Sequence, residues 1–269
     1  MGIICVTGMH RAGTSVLARA VHLLGADLGP ERWLLPANDD NPRGYWEDNR
    51  VVQLNDQLLG FLGGWWHDPP TLLGEWAGEW RLEPFRVWAA QLVAERAPVL
   101  DAGQPCGFKD PRLCLLLPFW RYAAAVDRTV ISVRDPREVV DSLTRRDGLS
   151  PEEGAQLWLR YTAAAVVNAP DALAVRYEDW FSAIGGTLGA VASHLGLEPP
   201  GAALVDELSA FVEPALRRSS ARSAPGSGGR QLAAALEVHE ELTTGPVAGS
   251  VPVMVELLDR VQGPERGQA

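Results

Sequence analysis

Residues 3–20 read IICVTGMHRAGTSVLARA, and the fold follows from how this stretch divides. Ile3 to Thr7 is a short apolar run suited to a buried strand. Thr14 to Leu24 carries the spacing of a helix, with Gly25 as its stop. Between them Gly8 and Gly13 stand in the spacing G-x-x-x-x-G. A glycine-rich turn from strand to helix directs backbone N–H groups and the positive helix end at one anion. In a nucleoside triphosphatase the second glycine is followed by Lys, which bridges the outer phosphates, and by a Ser or Thr that helps hold magnesium. Here those positions are Thr14 and Ser15. The nearest cation is Arg11, inside the loop. Its guanidinium stays charged and forks onto tetrahedral oxyanions, so the loop can neutralise an anion without a metal.

The same rhythm recurs along the chain. Cys106 to Lys109, Arg128 to Val133 and Ala172 to Tyr177 are three further strand candidates, each leading into a helical pattern. Strand, turn, helix and strand again imply crossover units and a parallel sheet between layers of helices, an α/β fold. Ligands of such sheets bind at the carboxyl ends of the strands, so the residues after Thr7, Phe108, Val133 and Val175 are the ones to inspect. Two regions interrupt the rhythm. Residues 29–84 form an insertion with turn clusters and many of the ten tryptophans, whose indoles either line an aromatic or sugar pocket or pack the insertion onto the sheet. Residues 219–229, SSARSAPGSGG, read as a mobile loop. With 269 residues the chain suits one α/β domain carrying these insertions.

A net charge of −10 argues against nucleic acid, anionic membranes and polyanionic partners, so any anionic ligand must be held by a few local cations. Cys5, Cys106 and Cys114 form no CxxC pair and sit among apolar residues, as reduced buried thiols do. With no bilayer-spanning stretch and no signal peptide, the expected location is the cytoplasm.

Two more motifs give the loop its context. In VISVRDPREVVDSL (residues 130–143) Arg134 follows a strand end, and Ser142 lies eight residues on. In GFKDPR (107–112) Lys109 ends a strand, so its ammonium reaches the same sheet edge as Arg11. With these motifs the chain resembles the sulfotransferases that use 3′-phosphoadenosine 5′-phosphosulfate, over residues 2 to about 200. The resemblance implies a P-loop-like sulfotransferase fold and a loop, His10, Arg11, Ala12, Gly13, Thr14 and Ser15, that cradles the 5′-phosphosulfate. It implies that Arg134 and Ser142 clamp the 3′-phosphate, and that Lys109 contacts the transferring group. Arg11, within RAGTS, takes the place of the family's basic loop residue. FVEPALRR (211–218) looks like a segment that returns arginines, here Arg217 and Arg218, to the nucleotide. No metal is required.

For the proton acceptor the resemblance offers Glu47, in NPRGYWEDN (41–49), with His67 in WWHDPP as its rival. Glu47 also suits the opening of the helix that follows it, where acids are favoured. The expected reaction moves a sulfuryl group onto a hydroxyl of a small metabolite, sugar or natural product. Two other classes are a small-molecule kinase using ATP and magnesium, and a nucleotide-binding protein without catalysis. The missing lysine after Gly13 and the Arg134/Ser142 pair weigh against the kinase.

Overall fold

The computed structural model describes residues 2–72, 75–124, 126–212, 229–244 and 246–262. The first strand, β1 (Ile3–Gly8), is buried along its whole length. Successive side chains of a strand point to opposite faces, so Ile3 and Cys5 enter one core and Ile4 and Val6 another. A strand covered on both faces needs apolar residues at both parities, and IICV supplies them.

After β1 come helices α1 (Thr14–Leu23), α2 (Asn49–Phe61), α3 (Glu83–Ala94) and the short α4 (Ala97–Asp101). Strand β2 (Cys106–Lys109) leads to α5 (Leu113–Ala124), and β3 (Val126–Val133) leads to α6 (Pro136–Asp147) and α7 (Pro151–Asn168). Strand β4 (Leu173–Arg176) precedes α8 (Asp179–Ser182), α9 (Ile184–Leu195) and α10 (Ala202–Phe211). Helices α11 (Gly229–Thr244) and α12 (Val247–Gln262) pack on α7. The four strands form one parallel sheet in the order β2-β1-β3-β4.

Helices cover both faces, giving the expected three layers. Leu17 and Val21 of α1, Val191 of α9 and Leu208 of α10 pack with Ile4, Val6, Val130 and Val175. Leu54 of α2, Trp120 of α5 and Trp158 of α7 pack with Ile3, Cys5, Ile131 and Val133 on the other side. Val139 and Leu143 of α6 join this second core. The chain therefore leaves the neighbouring strands β1 and β3 toward opposite faces, which opens a crevice at their carboxyl ends.

The helical pattern after β4 is not continuous. It breaks at Ala183 (φ −147°, ψ 38°), whose carbonyl then accepts from both the N–H and the hydroxyl of Thr187 to start α9. In the insertion Trp76 packs against the core, as does Trp88 just beyond it on α3, and Trp33 stacks on the Arg50 guanidinium at 3.6 Å. Trp65 and Trp80 are exposed. The Ser/Gly/Pro-rich residues 219–228, like Arg217 and Arg218, lie outside the described residues. No described helix is long and apolar enough to cross a membrane.

Candidate active site

Three strand ends and one loop bring the site together. Val6 pairs with Lys109 on β2 and with Val130 on β3, so Lys109, the loop after Gly8 and Arg134 emerge on one edge. The loop turns through left-handed backbone at Arg11 (φ 67°) and Gly13 (φ 87°). Gly13 must be glycine for a second reason: a Cβ there would lie 2.1 Å from the Tyr177 ring, just beyond β4. Helix α1 starts at Thr14 with no side-chain cap, so its first N–H groups open on the same space as Gly13, Thr14 and Ser15.

That space is a cavity of about 370 Å³, within the range that holds small-molecule ligands. Its wall carries Arg11, Arg43, Lys109, Arg134, Arg145 and Arg146 against Asp40 and Glu47. Six cations facing two acids give the cavity a locally positive wall in a chain of net charge −10. The crowding shows in the titration of its members. Burial and the nearby Arg146 hold the Arg11 guanidinium below its ordinary value. Burial, then Arg112, Arg146, Lys109 and Arg11, push His10 well down, so its imidazole is neutral. The His10 ring packs on Trp66 at 4.7 Å and on Tyr161 at 5.4 Å between centroids.

Glu47 and Lys109 meet inside this wall. Lys109 Nζ donates to Glu47 Oε1 at 2.5 Å and to the Tyr45 carbonyl at 2.9 Å, and the two residues are 3% and 6% exposed. Glu47 is delivered by local geometry. Trp46 adopts left-handed backbone (φ 61°), Leu35 N–H donates to the Glu47 carbonyl, and Asp48 caps α2 by accepting from Arg50 N–H. Burial raises the Glu47 pKa, and the Lys109 charge opposes that rise.

Arg134 donates to Glu138 from Nε at 2.9 Å and from Nη2 at 2.7 Å, and to the Arg11 carbonyl at 3.0 Å. Its guanidinium lies 4.4 Å from the centroid of the Tyr177 ring. Ser142 accepts from Arg11 Nε at 2.8 Å. Ser15 donates to the Tyr45 carbonyl and accepts from Asn41. Thus Arg11, Gly13, Thr14, Ser15, Glu47, Lys109, Arg134 and Ser142 all line one cavity, as does His10. Ala12 lies buried behind it and accepts from Ser132 at 2.7 Å. His67 is exposed, packs its ring on Trp66, and is not on the cavity wall.

Sequence reasoning missed Arg145, Arg146 and an aromatic side formed by Tyr177, Phe181 and Phe211. The two arginines had a signal: they stand three and four residues after Ser142, on the same helix face. The aromatic side had none, since it joins β4 to α10. Among the described residues no tryptophan lines the cavity, so the insertion's indoles do not form this pocket.

No protein-family model and no curated protein matches the chain in sequence. Among solved structures, the chain is similar to the sulfotransferase domain from the Synechococcus PCC 7002 olefin synthase. The likeness covers 88% of this chain and 94% of that one, with a TM-score of 0.55 and 18% identity. The fold is therefore sulfotransferase-like.

Proposed function

We propose that the protein is a sulfotransferase that moves the sulfuryl group of 3′-phosphoadenosine 5′-phosphosulfate to a hydroxyl of a small molecule. The observation that carries this reading is the ring of six cations around an uncapped helix start, in an acidic chain. Lys109 comes from β2, not from the position after Gly13 that a triphosphatase uses. The similarity in fold supports it.

The donor supplies sulfur bonded to a phosphate oxygen. As the acceptor's oxygen bonds to sulfur, that S–O bond breaks and 3′,5′-adenosine bisphosphate departs. The protein positions the reactants and neutralises charge on the departing phosphate. Arg11, Lys109 and the N–H groups of the loop meet that charge, and Arg134 with Ser142 holds the 3′-phosphate. Arg217 and Arg218 are assigned to the same nucleotide. Glu47 takes the acceptor's proton, and Lys109 favours the ionised carboxylate that this requires. The scheme uses no metal. The acceptor is a metabolite, sugar or natural product, and the three free buried cysteines suit a reducing cytoplasm.

A thermal-shift comparison tests the reading. A ligand bound only by the folded state stabilises it, by about 2.7 kcal/mol at a hundredfold excess over Kd. Adenosine 3′,5′-bisphosphate is expected to raise the melting temperature by several degrees, and ATP with magnesium by much less. Equal or greater stabilisation by ATP would overturn the assignment in favour of a kinase.

A further inference from the structure

Lys109 and Glu47 stand 62 residues apart in sequence, on elements that share no strand ladder, yet they meet at 2.5 Å. Lys109 is the last residue of β2, and Glu47 lies two residues before α2. Something must set α2 against the end of β2, and the next residue after Lys109 does so. Asp110 is 0% exposed. Its N–H donates to the Val6 carbonyl, and its own carbonyl accepts from the Thr7 hydroxyl at 3.0 Å, which ties it to β1 just before the anion loop. Its carboxylate accepts from Asn55 of α2 at 2.9 Å and from the Arg112 N–H and guanidinium at 2.8 and 3.0 Å.

Asn55, also 0% exposed, has its amide orientation dictated. Its oxygen accepts from the Trp120 indole of α5 at 2.8 Å, so its NH₂ must face Asp110. Beside it Asp56 accepts from Arg112 at 2.5 Å. A buried charge and amide are stable only when every partner is in place, which makes such a link a register lock rather than a general adhesive. It binds the loop's strand, the lysine's turn and the helix that follows the glutamate into one unit.

We infer that Asp110, acting through Asn55, is the positioning residue of the Lys109–Glu47 pair. Its catalytic consequence rests on the roles proposed above for those two side chains. Its geometric consequence does not.

The test exchanges the partners. In Asp110→Asn the remaining oxygen stays with the two Arg112 donors, so the new NH₂ faces that of Asn55, which cannot turn without abandoning Trp120. Asn55→Asp with Asp110→Asn restores an acceptor opposite a donor and leaves the net charge unchanged. Two readouts are made on the full chain. The first is acetic anhydride labelling of Lys109, followed by mass spectrometry. The second is kcat against donor KM in sulfuryl transfer. Asp110→Asn is expected to raise Lys109 labelling about tenfold and to lower kcat on the order of 10- to 100-fold, the scale of a small misplacement of reacting groups, with donor KM little changed. The exchanged double variant is expected to recover at least half of each loss. If Asp110→Asn lowers the melting temperature but leaves labelling and kcat at wild-type values, the inference is wrong. It is equally wrong if both variants label alike. Should Asp110→Asn fail to fold, protection of Lys109 in the double variant supports the inference, and open labelling there overturns it. Should wild type transfer no sulfuryl group, the proposed function fails while the labelling comparison still decides the positioning.

Discussion

Glu47 is pulled in two directions. Burial disfavours its charge, the Lys109 ammonium favours it, and burial prevails, so its pKa lies above the ordinary carboxylate range. A base must be deprotonated to act, so kcat/KM is expected to rise with pH through a limb above the ~4.3 of a free glutamate. Glu47→Gln keeps the shape and removes the basicity. Turnover should fall by about 10²-fold and the limb should vanish. His67→Asn, at an exposed ring off the cavity wall, should cost only a small factor. A pH–rate series on the two variants checks this, and an active Glu47→Gln beside a dead His67→Asn would transfer the role to His67. Arg11 shows a different limit of residue-level reading. Its left-handed backbone has no glycine to announce it, and Arg is an uncommon occupant of that region.

At the scale of the element, α6 is the helix that brings charged side chains to the cavity wall. Ser142 stands four residues after Glu138, and Arg145 and Arg146 stand three and four after Ser142, so they share a face. Glu138 holds Arg134, Ser142 meets Arg11, and the two arginines reach the cavity wall one turn later. The start of α6 is set by Asp135, which accepts from Arg137 N–H at 2.8 Å, and by Pro136 in the first turn. Burial opposes ionisation of Asp135, but hydrogen bonds from the Arg137 side chain and backbone outweigh it and lower its pKa. Ionised Asp135 therefore stabilises the fold above the usual aspartate range, and this contribution is lost as pH falls through the lowered value. Asp135→Asn keeps the capping oxygen without the charge. It is expected to destabilise the protein by roughly 0.5–1 kcal/mol at neutral pH, with the difference from wild type disappearing in acid. Urea unfolding at a series of pH values measures it. A difference that persists in acid would count against the charge.

Across the whole molecule, the sheet is sealed on both sides, and its cysteines report that closure. Cys5 lies on β1, Cys106 on β2 and Cys114 on α5, all buried. Burial, reinforced by Cys114, raises the Cys5 thiol far above its usual value, and burial pushes Cys114 up to about 12 against its hydrogen bonds with Thr7 and the Gly8 backbone. Burial raises Cys106 as well. Thiolates are the reactive species, so native protein should resist iodoacetamide at neutral pH and react only on unfolding. Adenosine bisphosphate should slow that reaction further by stabilising the folded state. Full labelling within minutes under native conditions would show that the core opens locally. In a chain of net charge −10, six of the cations still gather around one cavity at the carboxyl edge of the sheet.

What the sequence by itself determined is local. The strand–loop–helix at residues 3–23, the other three strands and the starts of α2 and α6 follow from apolar runs, glycine spacing and capping residues. These signals act within a few residues, through sterics and backbone hydrogen bonds, and no distant partner is needed to read them. The meeting of Glu47 with Lys109, the turn of Arg11 toward Ser142 and the aromatic side from Tyr177 to Phe211 were decided only in the tertiary structure. Each joins residues whose relative position depends on how helices settle on a sheet. The register of that packing is fixed by many small contacts and by buried links such as Asn55 to Asp110, none of which leaves a pattern in the linear chain.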